Sequence, residues 1–336
     1  MITADPQRRV TTLAAITEIL ARDANPDDRD LLLSFAPVVF AEMPDSIALR
    51  LTPAALAARI QEYFQFVART MPPAFQLYKG LPGLHVAVRN PGESEELALG
   101  SADGGPHEVT IVETHTPDAP FIFESLKNYF QKEGLRVFSA IHPIFTVRRQ
   151  WERCAQIGSP AEDGSRELFC QFRIERIEAR ERLRRIEHQI YSVLKTVFLA
   201  VEDFKEMART AREIGPRLRS RRGRPGEAES AKQFLDWLLA DNYVLIGMQR
   251  YTPDPDGVPQ PEEDSALGVF TDPSLLPVVF PGLMEQEQAH IKPADEDERI
   301  IDIDYCTNAH AIHHLEPIDD IIILSLIHIS EPTRPY

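Results

Sequence analysis

The chain has 336 residues, which is room for two or three domains of ordinary size. Its 43% hydrophobic content is that of a globular protein, and no run approaches the ~20 apolar residues of a membrane-spanning helix. A net charge of -16 argues against nucleic acid as the partner of the whole chain.

The acidity is uneven. Residues 251–320 hold seventeen Asp and Glu against Lys292 and Arg299 alone. That suits solubility and identifies no partner. The three cysteines, Cys154, Cys170 and Cys306, are odd in number and widely spaced, and the opening MITADPQRR lacks the apolar core of a secretion signal. Both features predict a reducing, cytoplasmic setting.

In chain order, RRVTTLAAITEILAR (8–22) predicts an amphipathic helix, and DDRDLLLSFAPVVFAEM a second, ending near Pro44. LTPAALAARIQEYFQFVARTM (51–71) predicts a third. Thr52 is its cap, Pro53 its first position, and Leu56, Ile60, Tyr63, Phe64 and Val67 its apolar face. HVAVRN (85–90) predicts a strand, and a polar, Gly-rich loop follows. VTIVET (109–114) predicts another strand. Asp118 then reads as the N-cap of a helix with Pro120 in its first turn, Phe123, Leu126 and Phe130 as one stripe, and Gly134 as its left-handed stop. LRVFSAIHPIF (135–145) predicts the next strand. LFCQFRIE (168–175) predicts a partner strand with Leu168, Cys170, Phe172 and Ile174 on one buried face.

A long helix is predicted over 177–214, with Ile186, Ile190, Val193, Val197, Val201 and Phe204 as its stripe. GPRLRSRRGRPGE (215–227) reads as an exposed basic linker. Beyond it come a helix at 228–241, a strand at 243–251, a PDPDG turn, ALGVF, a Pro-rich then acidic stretch at 272–298, a strand at 300–307 and a last strand from IDDIIIL.

Three segments carry a resemblance. Pro120, Phe121, Ser125, Gly134, Val137, Ile141, His142 and Pro143 match the pattern of the first ACT-type domain of the large bacterial NAD-specific glutamate dehydrogenases. Phe234, Leu235, Trp237, Leu238, Tyr243, Leu245, Gly247 and Tyr251 fall in register with a second signature of that family, with Ile246 where Leu is usual. AIHHLEPIDDI (311–321) resembles a third, with His314 in place of Arg. LSLIHISEPTR (324–334) resembles a translated sequencing adapter, so residues 324–336 are expected to be a non-native tail on a chain that naturally continues past about Ile323.

The resemblance implies an α+β fold. Residues 1–30 form an N-terminal helix; 31–176 an ACT-like helix-on-antiparallel-sheet domain with preceding helices; and 177–214 a connecting helix. Residues 215–227 form the linker, and 228–323 a truncated PAS-like α+β domain. It further implies a regulatory and oligomerisation region of an enzyme that converts L-glutamate, NAD and water to 2-oxoglutarate, ammonia and NADH. Its partners would be the rest of the parent chain, a second copy of itself and an amino-acid effector, with neither nucleic acid nor membrane. The alternative is a free-standing ACT-type amino-acid-binding protein without enzymatic activity.

Few residues read as chemistry. Cys306, His310, His313 and His314 are metal-ligand types, but no second pair at a defined spacing completes a tetrahedral site. The five arginines between Arg217 and Arg224 lack interleaved aromatics and read as a solvated hinge. The backbone N–H groups of Phe121 and Ile122, at the strand-to-helix junction 114–120, are able to receive a carboxylate, and plain capping is the simpler use. His142 reads as a packed strand residue. GSADGG (100–105) has glycines but no following helix, and no G-x-G-x-x-G, P-loop or nucleophile–base set is present. No catalytic, cofactor-binding or metal residue is therefore assigned. NAD belongs to the parent enzyme alone, and this chain by itself is expected to be inactive.

Overall fold

The computed structural model describes residues 6–70, 84–92, 109–150, 153–159, 163–218, 225–255, 259–279, 301–310 and 317–323. Two compact units divide the chain between Tyr191 and Ser192, inside the long helix and not in the basic stretch 215–227. Within each unit the architecture is α+β.

The first unit opens with α1 (Pro6–Asp23), α2 (Arg29–Glu42), the short α3 (Asp45–Ala48) and α4 (Pro53–Thr70). Thr52 accepts the Ala55 N–H through its side chain at 3.2 Å, as a helix cap should. The strands are β1 (His85–Arg89), β2 (Val109–Pro117), β3 (Val137–Ile141), β4 (Ile144–Gln150), β5 (Arg153–Gly158) and β6 (Ser165–Glu175), with α5 (Ile122–Lys132) between β2 and β3. They form an antiparallel sheet of order β1-β2-β6-β4-β5, and β3 also pairs with β6.

Helices cover both faces of this sheet. On one, α5 sets Phe130 against Phe172 with ring centroids 4.9 Å apart. On the other, α1, α2 and α4 bury Ile16, Leu20, Phe35, Ile60 and Val67 against Phe145, Val147 and Phe169. The expectation that β6 buries one face is therefore corrected. Phe169, Gln171 and Arg173 are as deeply placed as Leu168, Cys170 and Phe172, because α4 closes over them. The same holds for β2, which is buried from Val109 to Thr116.

The helix α5 starts later than its sequence suggests. Asp118 does not cap it. Its N–H donates to Arg166 O at 3.0 Å and its carboxylate pairs with Arg166 at 2.8 Å, so β6 claims it. β2 correspondingly runs on to Pro117, in register with Glu167. The residue before α5 is instead Phe121, at φ 70, the one non-glycine positive φ among the described residues. Gly134 ends the helix at φ 67, as expected.

The strand expected over 135–145 is broken in two at His142-Pro143. Proline has no N–H to give the ladder, so β3 and β4 meet β6 as separate pairs, at Ile141↔Gln171 and Ile144↔Leu168. The hairpin strand β5, pairing with β4, has no counterpart among the sequence expectations.

Along the stripe of α5, Leu126 and Phe130 are fully buried and Phe123 is half-buried, while Glu124 and Lys127 are exposed. Leu126→Ala should cost about 2–5 kcal/mol. A urea melt checks this, with Lys127→Ala as the control that leaves the midpoint in place.

The long helix α6 spans Arg180–Ile214. It starts three residues later than expected, because Ile177 is tied to the sheet by its N–H donating to Thr110 Oγ1 at 2.9 Å. Of its predicted stripe, Ile186, Ile190, Val193 and Val197 are buried, Val201 is half-buried and Phe204 is exposed, while Leu194, Phe198 and Met207 are buried as well. A short 3-10 turn, Gly215–Arg217, follows, and Leu218 is buried with Ala231, Leu235 and Leu238. The start of the expected linker is thus packed. Residues 219–224 lie outside the described residues.

Next come α7 (Glu227–Trp237), a wider turn over Leu238–Asn242, and three short strand pairs. β7 (Gly247–Met248) pairs with β10 (Leu267–Gly268), β8 (Tyr251–Pro253) with β9 (Pro259–Pro261), and β11 (Ile301–His310) with β12 (Pro317–Ile323). The strand expected at 243–251 is therefore divided. Residues 324–336, most of 272–298, and GSADGG at 100–105 are outside the described residues.

Candidate functional site

Chemistry-bearing side chains gather in one place, the layer between α4 and the sheet of the first unit. Strand pairing dictates who meets there. His85↔His115, Ala87↔Glu113 and Arg89↔Ile111 align β1 with β2, while Glu113↔Gln171, His115↔Phe169 and Ile111↔Arg173 align β2 with β6. Alternation sends these residues to one side of the sheet, and α4 lays Arg59, Glu62, Tyr63 and Phe66 over them.

The layer is held by charge-assisted contacts. Arg89 bridges two carboxylates, pairing with Glu62 and donating from Nε to Glu113 at 3.2 Å. Glu113 is almost wholly buried and also accepts from Gln171 Nε2 at 3.0 Å. His115 Nε2 lies 2.8 Å from Glu167 Oε2, both side chains at zero exposure. The His115 ring stacks on Phe145 at 5.9 Å. Burial pushes the Tyr63 phenol up to about 12 against the opposing field of Arg59, so it stays a neutral hydrogen-bonding group at physiological pH.

His85 sits beside this pair, its ring centroid 6.4 Å from that of His115, with Nε2 buried and unpartnered among the described residues. Burial, and then the charge of His115, lowers its pKa from 6.5. A lowered folded pKa means that its contribution to stability is complete above 6.5 and is lost as pH falls from there through the folded value. Removing the titration with His85→Asn should flatten the fall in melting temperature between about pH 7 and pH 5. A variant as pH-sensitive as the parent protein would show that another group dominates.

The remaining sequence candidates are scattered. His142 is corrected from packed strand to exposed junction, where it stacks on Phe123 with centroids 4.0 Å apart. Phe121 and Ile122 open α5 without side-chain capping. Cys306 and His310 fall on β11 and His313 and His314 outside the described residues; among the described residues no group of three or more metal-ligand side chains assembles. Cys170 is buried, its thiol pushed up to about 12 by burial, and is chemically inert. No described helix is long and apolar enough to cross a membrane.

The second signature divides by role. Leu235 and Leu238 are core, while Trp237 and Tyr243 are exposed and meet edge-to-face at 5.7 Å. Gly247 has a steric reason: a Cβ there would lie 2.7 Å from Val269 and 2.8 Å from Phe270. Opposite it, Gly268 takes φ +60 with its N–H donating to Asp203 at 2.7 Å.

Sequence reasoning missed the layer under α4. The sequence predicts strands at 85–90, 109–114 and 168–175, and no role is assigned to their charged and polar residues. The available signal was the density of His, Glu, Gln and Arg at alternate positions of β1, β2 and β6 beside a strongly apolar helix face.

Comparison with known proteins bears on this same unit. Residues 35–190 match the family model described as glutamate dehydrogenase, ACT1 domain, which takes in the sheet, α5 and the helices from within α2 onward. The chain is 29% identical over 171 residues to a NAD-specific glutamate dehydrogenase of Halomonas elongata, and 28% identical over 149 residues to one of Pseudomonas aeruginosa. Those stretches are 48% and 43% of this chain but 11% and 9% of the relatives, so the chain spans a small part of their length.

Proposed function

We propose that the chain is an N-terminal regulatory and oligomerisation region of a large NAD-dependent glutamate dehydrogenase, whose chemistry resides outside these residues. The observation that supports this most is the match of residues 35–190 to the ACT1 description, on the segment that folds as the first unit. The parent reaction would be oxidation of L-glutamate with NAD and water to 2-oxoglutarate, ammonia and NADH in the cytoplasm. The chain's partners would be the rest of that protein, a second copy and an amino-acid effector. Residues 228–323 would form a PAS-like module; in favour stand the second signature and the glycine constraint at Gly247 and Gly268.

The test has two arms. This chain alone, given L-glutamate and NAD, should produce no NADH above background. The complete protein from the same gene should produce it. A complete protein that lacks a dinucleotide-binding segment and leaves glutamate unchanged would favour the alternative, a free-standing ACT-type binding protein.

A further inference from the structure

We propose that β1 is an acid-released strap on the edge of the first unit's sheet: a proton on His85 frees the start of β1 from β2 and uncovers the edge of β2.

The two ends of β1 are held by different means. The strand has five residues and, among the described strands, pairs with β2 alone. At its far end Arg89 is ion-paired with Glu62 and Glu113. Just beyond, the Asn90 side chain donates to Ile177 O at 2.9 Å and accepts from Thr110 Oγ1 at 2.6 Å. Glu187 on α6 accepts the Val88 N–H at 3.3 Å. At the near end His85 stands opposite His115, and its Nε2 is buried with no partner among the described residues. Side-chain bonds thus anchor the Arg89 end, and β1 can fray from His85 toward that anchor.

The surroundings of His85 suit a neutral ring and oppose a charged one. Register and alternation put it on the side of the sheet that α4 covers. The titratable and charged groups there are His115 and Glu113 on β2, Glu167 and Arg173 on β6, Arg59, Glu62 and Tyr63 on α4, and Arg89 on β1 itself. Glu187 approaches the strand from α6. The acids are already engaged. Glu62 and Glu113 hold Arg89, Glu167 lies 2.8 Å from His115, and Glu187 takes the Val88 N–H. The ring beside His85, with centroids 6.4 Å apart, is a second imidazole. Burial and then His115 hold the His85 pKa down, and Glu167 offsets them only in part.

A protonated imidazole has two N–H donors, and both need an acceptor or water. His85 is half-buried and first in its strand, so it reaches water by turning outward. That movement takes its backbone off His115. β2 then shows unpaired N–H and C=O groups, a template on which another strand can pair. The device belongs to this unit alone and does not depend on the chemistry of the parent protein.

Amide hydrogen exchange of the full chain, at about pH 7.5 and about pH 5.5 and corrected for intrinsic exchange rates, tests this. Because the Val88 N–H points away from β2, the Ala87 N–H points toward it, and the N–H of its partner Glu113 points back. Thr114 and Cys170, paired between β2 and β6, are the reference. Ala87 and Glu113 should exchange faster than the reference at both pH values. On acidification they should lose protection by about three- to tenfold, as one proton taken up near pH 6.5 in the open form dictates. His85→Asn should remove that loss, with slow exchange at Thr114 and Cys170 reporting that the variant is folded. The proposal is overturned if Ala87 and Glu113 exchange no faster than the reference, since β1 would then open only with the whole sheet. It is equally overturned by protection that is the same at both pH values, or by a His85→Asn variant that keeps the acid-dependent loss.

Discussion

Replacing Phe169 by alanine is expected to cost about 3–5 kcal/mol, enough to remove much of the 5–15 kcal/mol that holds a typical domain. Phe169 lies at zero exposure on β6. Its ring meets Tyr63 at 5.3 Å and Phe66 at 5.8 Å, both on α4. It belongs to the continuous core that joins α1, α2 and α4 to the sheet. Truncation leaves a hole that the helix cannot follow inward, because Phe35 and Phe145 already hold their own edge-to-face contact at 5.3 Å. Urea unfolding of the full chain reads the effect, with Val10→Ala, 63% exposed on α1, as the control expected to stay within about 0.5 kcal/mol. Equal midpoints for the two variants would mean that α4 does not seal this face.

The second large effect is expected at Arg89. Its Nε is a partner of Glu113, whose side chain is 2% exposed. Arg89→Ala leaves that carboxylate with Gln171 as its donor among the described residues, and breaking a buried pair from one side costs about 3–5 kcal/mol. Glu62 suffers less, since at 16% exposure its side chain retains access to water. Removing both charges should hurt less than removing one. Arg89→Met with Glu113→Leu should recover most of the loss, because the desolvation penalty disappears together with the attraction. A double-mutant cycle in urea measures this. Additive losses would show that the two groups do not act as a pair.

Much of the first unit was legible because its signals are local. The period of Leu56, Ile60 and Val67 in α4, the Thr52–Pro53 start, and the stop at Gly134 each depend on neighbours within one or two turns. The same is true of β2 and β6 as strands, and of the resemblance carried by Pro120, Gly134 and His142-Pro143. Where a local signal competed with a distant partner, the partner won. Asp118 is an excellent cap by type, yet a strand-end Arg166 takes it, and Phe121 is left to open α5 in a left-handed conformation. The strand 135–145 reads as continuous until the missing N–H of Pro143 has to be fitted against β6.

The amino-acid sequence by itself determined the element types, the α+β class and the apolar faces of the helices. These follow from side-chain periodicity and backbone preference, which act over a few residues. Only the tertiary structure decided that the sheet is covered on both sides. Alternation in a strand reveals that one face differs from the other, but not whether a helix distant in sequence lies over the polar one. That covering places Glu113, His115, Glu167, Gln171 and Arg173 in a buried layer where α4 replaces water, and there Glu113 meets Arg89 and Gln171, and Glu167 meets His115.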